Sequence, residues 1–126
     1  VGCVWHYDSL IIKNNSNDSK VIKDFLNEKI KHDEKTLIFA PNCWALPLVF
    51  TTLKEMDYQS SQVGLIGFDN TEWTNLSSPS VTTIVQPAFE EGQQATKILI
   101  DQIEGKNEIE NQQILDCRVN WRESTL

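Results

Sequence analysis

The sequence has few of the residues from which disulfide frameworks, metal sites and nucleic-acid-binding surfaces are built. Its three cysteines, Cys3, Cys43 and Cys117, lie far apart and lack CxxC spacing. They therefore predict reduced thiols rather than a disulfide framework or a zinc site. The two histidines, His6 and His32, match no metal-ligand pattern with each other. We expect neither a metal nor a cofactor.

Basic residues are scarce beside acidic ones. The 126-residue chain has 11 Lys and Arg against 18 Asp and Glu, which gives a net charge of −7. Because phosphate backbones select basic surfaces, this balance argues against nucleic-acid binding by this segment. Long apolar runs are also missing, since none reaches the roughly 18 residues of a membrane-spanning helix. The N-terminus lacks the basic and apolar segments of a signal peptide, so a cytoplasmic protein without a membrane segment is expected.

Strands and helices alternate along a chain of ordinary globular composition, with 40% hydrophobic and 23% charged residues. Alternation of this kind predicts the α/β class, with a mainly parallel sheet covered by helices. The predicted strands are Ser9–Ile12, Thr36–Ala40, Val63–Phe68, Val81–Val85 and Gln113–Val119. The predicted helices are Lys20–Lys31, Trp44–Met56 and Ala88–Glu104.

Single residues indicate where these helices begin and end. Asp18 or Ser19 is expected to cap the first helix. Pro47 fits a helix only in its first turn, so the second helix should begin late or kink there. Gly105 is expected to end the third helix, whose apolar residues recur at helical spacing. The polar segment Thr71–Pro79 is expected to be a loop.

The segment Val63–Trp73, with the sequence VGLIGFDNTEW, carries the strongest functional signal. An apolar strand breaks at Gly67, and Asp69, Asn70 and Trp73 follow. The carboxyl ends of buried strands open into the ligand crevices of α/β proteins. A carboxylate accepts hydroxyl hydrogen bonds and an indole covers the apolar face of a sugar ring, so the pattern suits a polyhydroxylated ligand. The structural alternative is an aspartate that only caps its own turn.

From Thr36 onward the sequence resembles the effector-binding region of the lactose-repressor/galactose-repressor family of bacterial transcription regulators. Matching blocks come in the family's order and spacing, namely IFAPNCWAL (Ile38–Leu46), GFDNTEW (Gly67–Trp73), SPSVTTIVQP (Ser78–Pro87), FEEGQQATKILIDQI (Phe89–Ile103) and WREST (Trp121–Thr125). One departure is Asp57, which stands where the family usually ends its helix with glycine.

The resemblance implies a periplasmic-binding-protein-like fold, in which two lobes close on a ligand. Residues 8–80 would then form most of the second lobe. Residues 81–126 would cross the hinge and supply the return elements of the first lobe. Most of the first lobe and the DNA-binding helix-turn-helix domain would be absent from this chain. A sheet cut in this way should expose apolar surface where the missing strands pair.

The resemblance also implies roles for four ligand-binding candidates. Asp69 would accept ligand hydroxyls, Asn42 and Gln86 would reach the same cleft, and Trp73 would be a stacking platform or pocket wall. Each has a structural alternative: Asn42 as a helix cap, Gln86 as a polar residue before a helix, and Trp73 as loop packing. The expected effector is a sugar or a sugar acid. Arg122 is expected, with its neighbour Glu123, to be structural.

The resemblance further implies a homodimer, formed through the helix after Asn42 and the loop before Val81. Leu46, Phe50 and Ser77 are the candidate subunit contacts. DNA would be bound only by the absent N-terminal domain.

Three functions remain open from the sequence. The first is an effector-sensing part of a transcription regulator, in which ligand-dependent lobe closure controls DNA binding. The second is a periplasmic-type sugar-binding protein. The third is a receiver-like domain phosphorylated on Asp69, for which the acidic pair and the strand-terminal lysine are missing. An enzyme is not expected, because no catalytic constellation is present and Cys43 has no predictable base beside it.

Overall fold

Four strands form one sheet in chain order in the computed structural model, which describes residues 6–106 and 112–126. The strands are β1 (Thr36–Ala40), β2 (Val63–Phe68), β3 (Thr82–Val85) and β4 (Arg118–Asn120). β1, β2 and β3 run parallel, whereas β4 runs antiparallel to β3. The register pairs Ala40 with Gly67 and Phe68 with Ile84, so the carboxyl ends of the three parallel strands meet at one edge.

Helices alternate with the strands along the chain, as the predicted α/β class requires. They are α1 (Asp18–Lys29), α2 (Ala45–Glu55), α3 (Glu72–Leu76) and α4 (Ala88–Ile103), and a 3₁₀ turn follows at Glu123–Thr125. Pro47 is the third residue of α2. Its missing N–H falls in the first turn, where N–H groups have no helical acceptor, so the helix accommodates the proline there.

The hydrophobic core lies between α1, α2 and one face of the sheet. Its buried members are Ile22, Leu26, Ile30, Ala40, Leu46, Val49, Leu53, Val63, Leu65 and Val81. In β2 every second residue is buried, beginning with Val63, because alternate side chains of a strand point to opposite faces. On the opposite face of β1, Leu37 and Phe39 remain more than half exposed.

Apolar surface also stays exposed on α4, which has no buried residue. The spacing of apolar residues along this helix predicted an apolar face. The large side chains of Phe89, Leu99 and Ile103 lie on the surface of the described structure. The described structure therefore exposes apolar surface, but much of it lies on this helix rather than along the strand edges for which it was predicted.

Several predicted elements are wrong in kind or in extent. Ser9–Ile12 is not a strand, because this short run pairs with no described strand and instead packs Leu10 and Ile12 against the core. The predicted loop Thr71–Pro79 contains α3. The last strand is confined to Arg118–Asn120 instead of Gln113–Val119.

The first helix begins earlier than predicted, and Asp18 lies inside it with Asn17 as the cap residue. The Asp18 carboxylate accepts hydrogen bonds from the amides of Lys13 and Asn15, at 3.3 and 3.0 Å, and so closes the loop that precedes the helix. Asp18 is therefore a loop-closing residue rather than the predicted cap.

Candidate functional site

The carboxyl edge of the sheet gathers three of the four residues that the sequence singled out. Asn42 follows β1, Asp69 comes directly after β2, and Gln86 comes directly after β3. All three are partly buried. Because the three strands are parallel and in register, these polar side chains belong to neighbouring strand ends.

Asp69 and Gln86 are joined directly. The Gln86 side-chain amide donates a short hydrogen bond to Asp69 Oδ1. Gln86 Oε1 and Asp69 Oδ2 remain as acceptors, and the second Gln86 N–H remains as a donor. The pair therefore presents donors and acceptors side by side, which is the pattern that adjacent hydroxyl groups of a ligand require.

The backbone of Asp69 fixes where its carboxylate points. Its φ angle is 72°, in the left-handed region that few residues other than glycine, asparagine and aspartate adopt. Its N–H donates to the carbonyl of Ile84 at 2.9 Å, which is the last hydrogen bond of the pairing between β2 and β3. The chain thus turns sharply at the strand end and holds Asp69 beside Gln86.

Asn42 has the capping role that the sequence left open. Its Oδ1 accepts a hydrogen bond from the Ala45 amide at 2.8 Å, and its carbonyl accepts one from Leu46 at 3.3 Å. These bonds satisfy two of the N–H groups at the start of α2 that have no helical partner. The Asn42 side-chain amide nitrogen has no hydrogen-bond partner among the described residues.

Trp73 has the packing role that was its alternative. It lies in α3, and its ring meets the Phe50 ring of α2 edge-on, with centroids 5.5 Å apart and an interplanar angle of 63°. It is half-buried against the core. Within the part of the chain that the structure describes, no hydrogen bond joins its indole to Asp69 or Gln86.

The C-terminal segment Trp121–Thr125, here called the C-terminal clasp, is fastened to the middle of β2 and to the start of β3. Ser124 is buried, donates to the carbonyl of Leu65 at 2.6 Å and accepts from the amide of Thr82 at 2.9 Å. Glu123 accepts from the amide and hydroxyl of Ser80, at 2.7 and 3.0 Å. These hydrogen bonds hold the pKa of Glu123 below its usual value.

Comparison with known proteins identifies the family. The family model of a periplasmic binding protein-like domain matches residues 11–125. This chain belongs to that family. The fold predicted from the five sequence blocks is thereby confirmed. The receiver-like interpretation is set aside, because the matched domain is periplasmic-binding-protein-like.

The relatives of this periplasmic-binding-protein-like chain are transcription regulators. It is 31% identical to the HTH-type transcriptional regulator KdgR of Bacillus subtilis over 93 residues, which are 73% of this chain and 27% of KdgR. It is 38% identical to the HTH-type transcriptional repressor CytR of Escherichia coli K12 over 63 residues, which are 50% of this chain and 18% of CytR. The chain thus spans only a part of these regulators.

A solved structure supports the same family. A LacI family transcriptional regulator from Enterococcus faecium, with bound ribose, matches with a TM-score of 0.71 and 27% sequence identity. The match covers 90% of this chain and 41% of that one. The resemblance to lactose-repressor-type regulators is therefore confirmed at the level of family and fold.

One candidate subunit contact of this periplasmic-binding-protein-like chain is wrong. Leu46 is only 1% exposed, because the first turn of α2 presses its side chain onto β2. Phe50 is half-buried beside Trp73, and the Ser77 hydroxyl donates to the carbonyls of Thr74 and Pro79. The proposed surface is thus reduced to the outer parts of α2 and of the loop before β3.

No group of three or more His, Cys, Asp or Glu side chains in residues 6–106 and 112–126 could hold a metal ion. Cys43 and Cys117 are exposed free thiols, and Cys3 lies outside the described residues. Among the described helices, none has both the length and the apolar character needed to cross a membrane.

Proposed function

We propose that this chain is the effector-sensing part of a bacterial transcription regulator, which binds a sugar or sugar-derived molecule in a cleft between two lobes. Binding there would control DNA affinity through a helix-turn-helix domain elsewhere in the whole protein. The observation that carries the proposal is the Asp69–Gln86 pair at the carboxyl edge of β2 and β3.

The pair suits a vicinal diol. An ionised carboxylate accepts two hydroxyl hydrogen bonds, and hydrogen bonds to a charged group are stronger than neutral ones. Gln86 adds a donor and an acceptor, which serve a neighbouring hydroxyl whichever way it points. Asp69 and Gln86 are partly buried, so fewer water molecules contact them than contact exposed side chains. A bound ligand would therefore displace little water from them before the second lobe closes over it.

Relatives support the ligand class. The Enterococcus faecium regulator holds ribose, and its identity to this chain is 27%. KdgR and CytR are DNA-binding regulators by name, which favours sensing over transport. The proposal therefore includes a cytoplasmic location, no catalytic activity, and a homodimer through α2 and the loop before Val81. A periplasmic-type sugar-binding protein is the alternative.

A thermal-shift panel on the whole protein that contains this chain tests the proposal. Ribose, lactose, cellobiose and gluconate are added separately, because a ligand that binds the folded state raises Tm. We expect at least one of them to do so. Calorimetry should then show that Asp69→Asn, which preserves the left-handed turn, weakens that ligand by roughly 10- to 100-fold, the cost of a charged hydrogen bond.

The matched control is Glu72→Gln. It removes the same charge from an exposed residue three positions further along, in α3. It should leave the affinity unchanged. Equal binding by wild type and Asp69→Asn would refute the site, and no Tm shift with any member of the panel would count against sugar sensing.

A further inference from the structure

Arg122 makes an unusual set of contacts for a cation. Its guanidinium donates to the Val81 carbonyl at 2.7 Å, to the Thr83 hydroxyl at 3.1 Å and to Asn70 Oδ1 at 2.7 Å. A weaker contact reaches the Thr74 hydroxyl at 3.4 Å. Of the carboxylates in residues 6–106 and 112–126, none forms a salt bridge with it. All of its acceptors are neutral oxygens, which lie just after β2, in α3 and at the start of β3.

Asn70 is the point where these contacts converge beside the candidate site. Its Oδ1 accepts from both the Arg122 guanidinium and the Thr83 hydroxyl, the latter at 3.1 Å. Thr83 is fully buried, so one end of this bridge is fixed in the sheet. Asn70 itself is exposed and directly follows Asp69, whose left-handed φ has to be maintained by its surroundings.

We propose that Arg122 is a positioning residue for the ligand-binding turn. Its planar fork ties Asn70 to β3, and this tie holds Asp69 in the orientation in which it meets Gln86. The proposal rests on the proposed function only in calling this turn ligand-binding. The positioning itself is a property of the unliganded protein and is tested without a ligand.

The C-terminal clasp does not need the guanidinium to stay in place. Ser124 and Glu123 anchor it through bonds to Leu65, Thr82 and Ser80, none of which reaches Asp69 or Asn70. If Arg122 served only to fasten the clasp, its contacts would repeat what the bonds of Ser124 and Glu123 already do. The Arg122 side chain instead reaches beyond these bonds to Asn70, in the turn after β2. Asn70 is the only exposed residue among the acceptors of the guanidinium.

Fork geometry is the second reason for a positioning role. Two nitrogens of Arg122 are used at once, one on Asn70 and the other on Val81 and Thr83. A lysine carries the same charge but ends in a single ammonium, which cannot span both sides of the bridge. Arg122→Lys should therefore fail, although it preserves the charge.

Amide hydrogen exchange in the whole, unliganded protein tests the proposal. The Asp69 amide, which donates to Ile84, reports whether the strand end stays paired. Arg122→Lys and Asn70→Ala should each accelerate its exchange about tenfold or more, since a hydrogen bond to a charged group is lost. The amide of buried Leu65 should keep its exchange rate.

Two further variants make the result decisive. Glu123→Gln weakens the clasp at Ser80 without touching the turn, so it should leave Asp69 exchange unchanged even if it lowers Tm. Combining Arg122→Lys with Asn70→Ala should add nothing to either change alone, because both remove the same bond. Full protection of Asp69 in Arg122→Lys, or equal acceleration at Leu65, would overturn the proposal. Because no sugar is present, either outcome is independent of whether the chain senses one.

Discussion

At the scale of single residues, Gly67 shows how closely α2 approaches the sheet. A Cβ atom at this position would lie 2.3 Å from Leu46 Cδ2, well inside van der Waals contact. Leu46 is itself buried and cannot move aside without disturbing the core. The glycine that breaks the apolar run in the sequence is therefore a packing requirement inside β2, which continues to Phe68.

Gly67→Ala should destabilise the protein by ~1–3 kcal/mol, the usual cost of overpacking a core. The expected readout is a lower Tm for the whole protein. Gly64→Ala is the matched control on the same strand, because its Cβ would meet only the end of the exposed Leu37 side chain below 3.4 Å. A Tm loss in Gly64→Ala as large as that in Gly67→Ala would show that the strand, and not the contact with Leu46, is sensitive.

Asp57 is a second residue whose backbone has a consequence. It follows α2 with a φ of 57°, in the left-handed region that favours glycine. Because glycine adopts this conformation without a Cβ penalty, Asp57→Gly should raise stability by ~0.5–1 kcal/mol. Asp57→Ala should lower it, and both changes are measurable as opposite shifts in denaturant midpoint. A lower midpoint for Asp57→Gly would contradict the strain argument.

The candidate site was only partly predictable from single residues. Asp69 and Gln86 follow apolar strands, so the strand-end pattern and the family resemblance both pointed to them. The bond between Arg122 and Asn70 joins residues 52 positions apart, which no local pattern could indicate. The sequence offered only an arginine in the matched ending WREST and two β-branched polar residues in β3. That pattern suggested a structural role for Arg122 but did not indicate which residue it contacts.

At the scale of elements, continuous apolar runs were predicted best. β1 and β2 have their predicted bounds, because TLIFA and VGLIGF are continuous apolar runs with loop residues on both sides. The short helix α3 was missed, since five polar and mixed residues carry no helical periodicity. Ser9–Ile12 was wrong because a β-like run forms a strand only where a neighbouring strand is available to pair with it.

The C-terminal clasp should weaken in acid. Hydrogen bonds from the Ser80 amide and hydroxyl lower the pKa of Glu123 in the folded state. A lowered folded pKa means that this stabilisation is complete above the unfolded pKa of 4.5 and is lost as the pH falls through the folded value. Wild type should therefore have a higher Tm than Glu123→Gln at pH 7, and the gap should close as the pH falls through the lowered pKa of Glu123. A gap that widens in acid would contradict this.

At the scale of the whole molecule, the described structure holds the edge that we propose as one wall of a ligand cleft, and a helix without buried residues. Asp69 and Gln86 lie at that edge, and α4 exposes Phe89, Leu99 and Ile103. The chain covers 41% of the ribose-bound regulator that it matches. The proposed function therefore assigns part of the ligand contacts to residues outside this chain, which explains why the sequence predicts a ligand class and not a ligand.

The central claim is that a sugar at the Asp69–Gln86 edge controls DNA binding. The most direct test is the affinity of the whole protein for DNA that it selects from a random library, measured with and without the sugar that gives the largest Tm shift. Wild type should change its DNA affinity by at least about fivefold, the lower range of allosteric coupling. Asp69→Asn should bind the same DNA without the sugar and lose the response. An undiminished response in Asp69→Asn, or no response in wild type, would contradict the account.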